Sequence, residues 1–312
     1  RIYCGIIADN TYLYLGTDNG ILVYNYRTDK YEQPDTDFPT DVRTMVLQGD
    51  TLWIGSLNGL YTYQLKSRQL NHFDSKQTGL PHNTIYSIIH TKDNQIYIGT
   101  YNGLCRYVQA SGKFENILLP VNRGGSNLFV NSLLEDTTRQ CIWIGMEGYL
   151  FQYNPTIGEM KAIEVFHNNS IKSLALDGDE NLLAGTDNGL YVYQNDKEPL
   201  QHIIHDSRNI QSLTNNIIWN IFSDQEHNIW LGTDYGISLS RYNSALQFVP
   251  ISQITGTGDG NQFYSLFRDS KGFYWFGGTN GVIRFTHPAG NKHDAIWYRM
   301  GDKNHPLSHN RI

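Results

Sequence analysis

One glycine returns in the same local setting seven times along the chain, at Gly16, Gly55, Gly99, Gly145, Gly185, Gly232 and Gly277. Successive intervals are 39, 44, 46, 40, 47 and 45 residues. A period near the mid-forties is that of propeller blades, units that cannot bury their apolar faces alone and so stack on one another. The third copy shows the anatomy. Ile85–His90 reads as a strand, Thr91–Asn94 as a turn, and Gln95–Thr100 as a second strand. Tyr101–Gly103 turns again into a third strand, Leu104–Tyr107, and Lys113–Ile117 is the fourth. Four short strands per period joined by hairpins make one blade. The expected fold is all-β, a seven-bladed β-propeller of four-stranded antiparallel blades. The blades run roughly over 1–39, 40–81, 82–126, 127–168, 169–214, 215–260 and 261–309, with 310–312 starting a further repeat.

Each recurring residue has a physical task. Asn-Gly, as in Asn102-Gly103, is expected to supply the positive φ angles of a two-residue hairpin turn. The strand glycine lets a neighbour approach closely. The large residue two positions before it (Trp53, Tyr97, Trp143, Trp230, Trp275) is expected to pack between adjacent blades. The aromatic after the turn, such as Tyr63, Tyr107 or Phe285, covers the same core. The tail Pro306–Ile312 resembles the entry to the third copy, Gly79–Ile85, so the chain starts and stops at one phase of the repeat. Seven whole blades closing a ring, or a segment of a longer tandem array, both fit. No strand exchanged between first and last blade is evident. The chain opens at Arg1 without an initiator Met or signal peptide and reads as a piece of a longer protein.

Composition excludes several classes. A net charge of −6 without a Lys/Arg cluster argues against a nucleic-acid partner. No apolar run reaches the length of a membrane span. Cys4, Cys105 and Cys141 are odd in number and far apart, which is neither a disulfide framework nor a metal-ligand spacing. No zinc-protease helix, nucleophile elbow or Gly-rich phosphate loop occurs. The segment Asp269–Trp275 is one residue too long for a sialidase-type Asp box and reads as a turn and second strand. His202 and His205 read as an exposed pair rather than a metal site. Asp177, Asp179, Glu180, Asp224 and Glu226 read as turn residues rather than catalytic carboxylates. No catalytic residue, metal or cofactor is expected.

The stretch Ser212–Asp224, continuing through Asn228–Ile237, closely resembles the two-component regulator propeller repeat, as do Leu80–Leu104 and the tail. This resemblance implies the sensor region of a hybrid two-component system of the Bacteroides type. It implies two propellers and an immunoglobulin-like domain in the periplasm, followed by a membrane helix, a histidine kinase and a response regulator with a DNA-binding region. It further implies detection of glycan-derived oligosaccharides, control of polysaccharide-utilisation genes and a homodimeric full sensor anchored in the inner membrane. This chain carries only the propeller part, without kinase motif or phosphoacceptor His region. A carbohydrate-active lyase or hydrolase and a protein-interaction scaffold are the alternatives, because fold alone does not decide function.

Departures from the repeat mark candidate ligand contacts. Copy four has three steps from Gly145 to its turn glycine, Gly148, where the others have four, which singles out Glu147 and Tyr149. Arg123, in the longer loop before it, could pair with an acidic sugar or sulfate, against the commoner reading of a solvated surface arginine. Asn83, Asn127, Asn216 and Asn261 stand at blade entries, either lining a polar rim or capping backbone turns. Trp219 and Tyr264 follow two such entries, where an aromatic face stacks on a sugar or packs in a core.

Overall fold

The computed structural model describes residues 1–8, 11–32, 34, 36–121, 128–163, 169–194, 197–209, 211–242, 248–250, 262–269, 271–286, 295–304 and 306–307. Among them, 29 strands in seven sheets form a seven-bladed β-propeller, each sheet made of four consecutive antiparallel strands and the seventh carrying one more, parallel, at its edge. The sheets are Ile2–Ala8, Tyr12–Thr17, Gly20–Asn25 and Lys30–Glu32; then Val42–Gln48, Thr51–Ser56, Gly59–Gln64 and Leu70–Phe73. The third is Ile85–His90, Ile96–Thr100, Gly103–Val108 and Lys113–Ile117; the fourth is Val130–Asp136, Cys141–Met146, Leu150–Asn154 and Glu159–Ile163. Next come Ile171–Leu176, Leu182–Thr186, Gly189–Gln194 and Lys197–Ile203, then Ile218–Ser223, Ile229–Thr233, Gly236–Ser240 and Phe248–Pro250. The seventh is Phe263–Arg268, Tyr274–Gly278, Gly281–Phe285 and Ile296–Met300. Two compact units divide the chain, one of Cys4–Ser170 and one of Arg1–Tyr3 with Ile171–Ile312.

Pro306–Leu307 adds to the edge of the seventh sheet as a short fifth strand, parallel to Ile296–Met300, and Leu307 is buried. Residues 308–312 lie outside the described residues.

Packing between sheets rests on the repeated glycine. A Cβ on Gly99 would lie 2.6 Å from Val130 Cγ1 and 2.8 Å from Val130 O, at the start of the fourth sheet. Gly55 meets Ile85, Gly185 meets Ile218, Gly232 meets Phe263, and Gly277 meets Ile2 in the same way. Apolar clusters fill the space on either side. Trp53 packs with Ile85, Ile88 and Ile96 of the next sheet, Tyr97 with Val130 and Leu133, and Trp230 with Phe263 and Phe276. Tyr63, Tyr107, Tyr153 and Phe285 cover these clusters as expected.

The Asn-Gly turns differ from the expectation. The positive φ falls on the glycine, 120° at Gly103, which already pairs with Thr100 as the first residue of the next strand. The turn is held instead by the buried hydroxyl before it. Thr100 Oγ1 donates to Gly103 O (2.9 Å) and accepts from Asn102 N (3.1 Å). Thr17, Ser56 and Thr186 do the same, and Thr233 does so with Tyr235 N. Copy four keeps the register, Gly145 opposite Leu150, but has Met146 in place of the hydroxyl and moves its glycine inside the turn. Gly148, at φ 77°, takes up the bend there.

A second latch holds the opposite hairpin. Asp136 Oδ2 accepts from the Trp143 indole (2.9 Å) and from Arg139 Nη1 (2.6 Å). Asp224 and Asp269 accept likewise from Trp230 (2.9 Å) and Trp275 (2.8 Å). Burial pushes the Asp136 and Asp224 carboxyls up. The indole bonds, with Arg139 at one site and Asn228 and Tyr274 at the other, outweigh it and leave both below the usual carboxylate range.

Two outcomes are expected. Gly99→Ala loses about 3 kcal/mol, the upper end for overpacked cores, and Thr100→Val about 1–3 kcal/mol, the cost of orphaned buried polar partners. Both are read from denaturant midpoints. A carboxyl lowered on folding stabilises fully above its unfolded pKa near 4, and that contribution disappears as pH falls through the folded value. Asp136→Asn is therefore less stable at neutral pH by about 3 kcal/mol and loses less stability on acidification than the parent chain, measured by melting at stepped pH.

Candidate ligand-binding site

The first strand of each blade carries a local fault that sequence periodicity hides. In the second to seventh sheets its pairing with the neighbouring strand skips one residue near the start. The skipped residues are Arg43, Tyr86, Asn131, Lys172, Trp219 and Tyr264. A bulge residue escapes the strict alternation of the strand and is re-aimed, which is why bulges gather at functional rims. Tyr3 holds the equivalent position, 13 residues before Gly16, as Tyr264 lies 13 before Gly277. The repeat conserves its neighbours on both sides in character, small or apolar, while this position changes freely.

In the unit of Arg1–Tyr3 and Ile171–Ile312 these residues form a half-buried row. Lys172 Nζ sits 4.5 Å from the centroid of the Trp219 ring. Trp219 and Tyr264 meet edge to face at 5.4 Å, and Tyr264 lies 6.2 Å from Tyr3. The Arg1 guanidinium lies 5.5 Å from the Tyr264 ring. A polar chain fixes the rings. Trp219 Nε1 donates to Asp234 Oδ1 (2.7 Å), which also accepts from Gln262 Nε2 (3.1 Å), and Tyr264 OH donates to Gln262 Oε1 (2.6 Å). The arrangement offers two ring edges and faces flanked by cations, with a carboxylate and an amide to sort hydroxyl groups. Aromatic rings with cations at their faces are a recurrent platform for polar, partly apolar ligands.

In the unit of Cys4–Ser170 the bulge residues are of a different kind. Tyr86 lies 6.2 Å from Phe129, and Phe129 packs edge to face on Tyr101 at 4.1 Å. His82 lies 5.0 Å from Tyr101. Burial raises the Tyr86 hydroxyl, with Arg43 opposing, so it remains a neutral donor at physiological pH. Asn131 donates to Ser170 Oγ (3.3 Å), and Arg43 pairs with Asp41 at 3.6 Å.

The residues singled out from sequence are placed as follows. Trp219 and Tyr264 come together in the row just described. Asn83 Oδ1 accepts from Ser75 N (2.8 Å) and Asn216 Oδ1 from His205 N (2.6 Å), so both brace the chain entering a blade. Glu147 is exposed and bridges to Ser170 through backbone. Tyr149 stacks on Phe151 and packs against the core of the fourth sheet. Arg123, Asn127 and Asn261 lie outside the described residues. Lys172, Tyr3, Asp234 and Gln262 were missed. The signal for Lys172 and Tyr3 was available, because both stand 13 residues before a strand glycine as Trp219 does.

Other candidate chemistry is absorbed by structure. His202 Nε2 bonds Asn188 O (2.6 Å) and His205 Nδ1 bonds Leu213 O (2.5 Å). Among the described residues no three His, Cys, Asp or Glu side chains gather as metal ligands. The three cysteines are free, and burial pushes Cys4 up to about 12 and also raises Cys105 and Cys141, which suppresses thiolate chemistry. No helix among the described residues is long and apolar enough to cross a membrane.

Residues 79–102, 212–235 and 257–280 match the two component regulator propeller family. Two solved structures of the extracellular domain of the BT4673 system from B. thetaiotaomicron, named as a one component and as a hybrid two component system, are each 82% identical to this chain. Each match covers 100% of this chain and 42% of the solved one, with TM-scores of 0.76 and 0.77. Histidine kinase P4 of Formosa agariphila is 25% identical over 89% of this chain and 22% of its own length. The chain thus spans less than half of each of these relatives. Virginiamycin B lyase from Staphylococcus aureus, 15% identical with a TM-score of 0.65, covers 89% of this chain and 91% of its own and shows the shared propeller fold alone. By its repeats, its seven sheets and its identity along the whole length, the chain is a β-propeller closely resembling the extracellular sensor region of the BT4673 one- or hybrid two-component system.

Proposed function

We propose that this propeller is the periplasmic ligand-sensing module of a hybrid two-component histidine kinase, that its ligand is a glycan-derived oligosaccharide, and that it controls polysaccharide-utilisation genes. The observation that carries the reading is 82% identity over the whole chain to the extracellular domain of the BT4673 system. The Lys172–Trp219–Tyr264 row supports a binding role, since its polar groups are arranged around aromatic surface rather than around a reacting atom. The propeller itself performs no catalysis in this reading. The Asp side chains with the most perturbed surroundings, Asp136 and Asp224, are committed to indole bonds within hairpins.

Signalling requires only that the ligand favour one state of the full sensor over another, because a ligand of equal affinity for both shifts nothing. The partner in that equilibrium is a second copy of the full sensor, and the membrane is reached through the rest of the parent protein. Oligosaccharides from plant and host glycans, titrated calorimetrically into this chain and into the full sensor region, test the reading. Saturable binding is expected, weakened about tenfold or more in Trp219→Ala, the usual loss for an aromatic anchor. Absence of any saturable oligosaccharide in both proteins would overturn the sensing role. Binding unchanged by Trp219→Ala would remove the row from it.

A further inference from the structure

A cleft of about 490 Å³ opens between the second and third sheets, within the unit Cys4–Ser170 and formed by none of the bulge residues. Beside it the repeat departs in one place, a shortened hairpin in the second sheet; the apolar residue three before the strand glycine, Ile96 here, is the rule in every copy but the seventh, which has Tyr274. In the sixth sheet the hairpin between the first two strands has five residues, Asp224–Asn228, and Tyr274 of the seventh sheet reaches over to donate to Asp224 Oδ2 (2.8 Å). Arg268 adds contacts to Gln225 (3.4 Å) and Glu226 (3.3 Å), so that space is filled. In the second sheet the corresponding hairpin is only Gly49-Asp50, because Gln48 already pairs with Thr51. Opposite it, the repeat position of Tyr274 is Ile96, each three residues before its strand glycine. The position of Arg268 is His90, whose Nε2 bonds back to Asn94 in its own turn (2.8 Å). Ile96 and His90 do not cross the gap as Tyr274 and Arg268 do; Gln48 Nε2 does reach over it at the rim, donating to Asn94 Oδ1 (3.0 Å).

The lining has a definite chemistry. Side-chain amides dominate, with Gln48, Gln64, Asn71 and Asn94 among them, and Thr51 and Thr62 add hydroxyls. Several are fixed by bonds to one another: Gln48 accepts from Trp53 Nε1 (3.0 Å) and donates to Asn94 Oδ1, and Gln64 donates to Thr51 Oγ1 (2.9 Å), which leaves their remaining donors and lone pairs for a ligand. Trp53, Phe73 and Tyr107 supply the aromatic floor, held by edge-to-face contact of Trp53 and Tyr107 at 4.8 Å. Among the described residues no carboxylate lines it, and the one cation there, Arg106, is ion-paired with Glu115 at 2.7 Å. Such a surface selects neither anions nor cations. An amide presents donor and acceptor side by side, as the hydroxyls of a sugar do, and aromatic carbon accepts the C–H face of a sugar ring. The volume lies in the ordinary range of small-molecule sites. From this we infer that the cleft between the second and third sheets is a binding site for a neutral saccharide, separate from the Lys172–Trp219–Tyr264 row.

The inference rests on the lining of the cleft rather than on the sensing role. It is tested by calorimetric titration of the whole chain with maltotriose, cellotriose, xylotriose and mannotriose, and with a sulfated trisaccharide as the charged control. At least one neutral trisaccharide binds saturably and the sulfated one does not. Ile96→Tyr, which supplies the hydroxyl-bearing ring that closes the space beside Tyr274, weakens that binding roughly tenfold or more. The exposed Asn71→Ala, which removes an amide without touching the core, weakens it too should Ile96→Tyr fail to fold. Lack of saturable binding by all four neutral sugars overturns the proposal. So does binding lost in Trp219→Ala but kept in Ile96→Tyr and Asn71→Ala, an outcome that would leave the sensing role standing at the other site.

Discussion

A missing Cβ holds the sheets of this protein together. The strand glycines Gly16, Gly55, Gly99, Gly185, Gly232 and Gly277 each oppose the first residue of a neighbouring sheet, and at Gly99 an added methyl would meet Val130 carbon and oxygen below 3 Å. Sheets pack closely only where side-chain volume is matched, and here the match is a small residue against a β-branched or aromatic one. The large residue two positions earlier follows from the same constraint. It points to the same face of the strand and fills the space the glycine leaves shallow, as Trp53, Tyr97 and Trp230 do.

Polar latches make this packing specific. Buried hydroxyls at Thr17, Ser56, Thr100, Thr186 and Thr233 close one set of hairpins, and carboxylates at Asp136, Asp224 and Asp269 close the other through indole bonds. Each latch satisfies donors that the turn would otherwise bury unpaired, so its value lies in the cost of leaving it unmade. Carboxylates that look catalytic by burial and perturbed titration therefore serve the fold. Perturbed groups mark function only where they face a cleft, and these face a tryptophan edge.

With the scaffold held in this way, the residues free to vary are those the scaffold does not use. The bulge position is one such place. Lys172, Trp219 and Tyr264 stand there in one unit, Arg43, Tyr86 and Asn131 in the other; each set holds a cation and a tyrosine, with an indole added in one and an amide in the other. The space between second and third sheets is another, lying beside a hairpin of only two residues, Gly49-Asp50. A rigid repeat carrying variable residues at a few positions suits recognition, since its binding groups are presented without ordering a loop at each event.

Sequence alone determined the seven-fold repeat, the four strands of the third copy to within a residue or two, and the propeller architecture. These depend on local alternation, turn residues and a fixed period, all of which are written along the chain. It also singled out Trp219 and Tyr264 as candidates, being aromatics that follow a blade entry. The tertiary structure decided the rest. The positive φ of the hairpins fell on glycine alone, because a buried hydroxyl shapes the turn around Asn102. Tyr149 packs against the core of the fourth sheet, and Asn83 and Asn216 accept from backbone amides, contacts set by how the turn and the blade entries fold back on the chain. The meeting of Tyr3 with Tyr264, and of Lys172 with Trp219, required neighbouring sheets to come together from distant parts of the chain. Local pattern carries no term for such a contact; packing of one blade against the next supplies it.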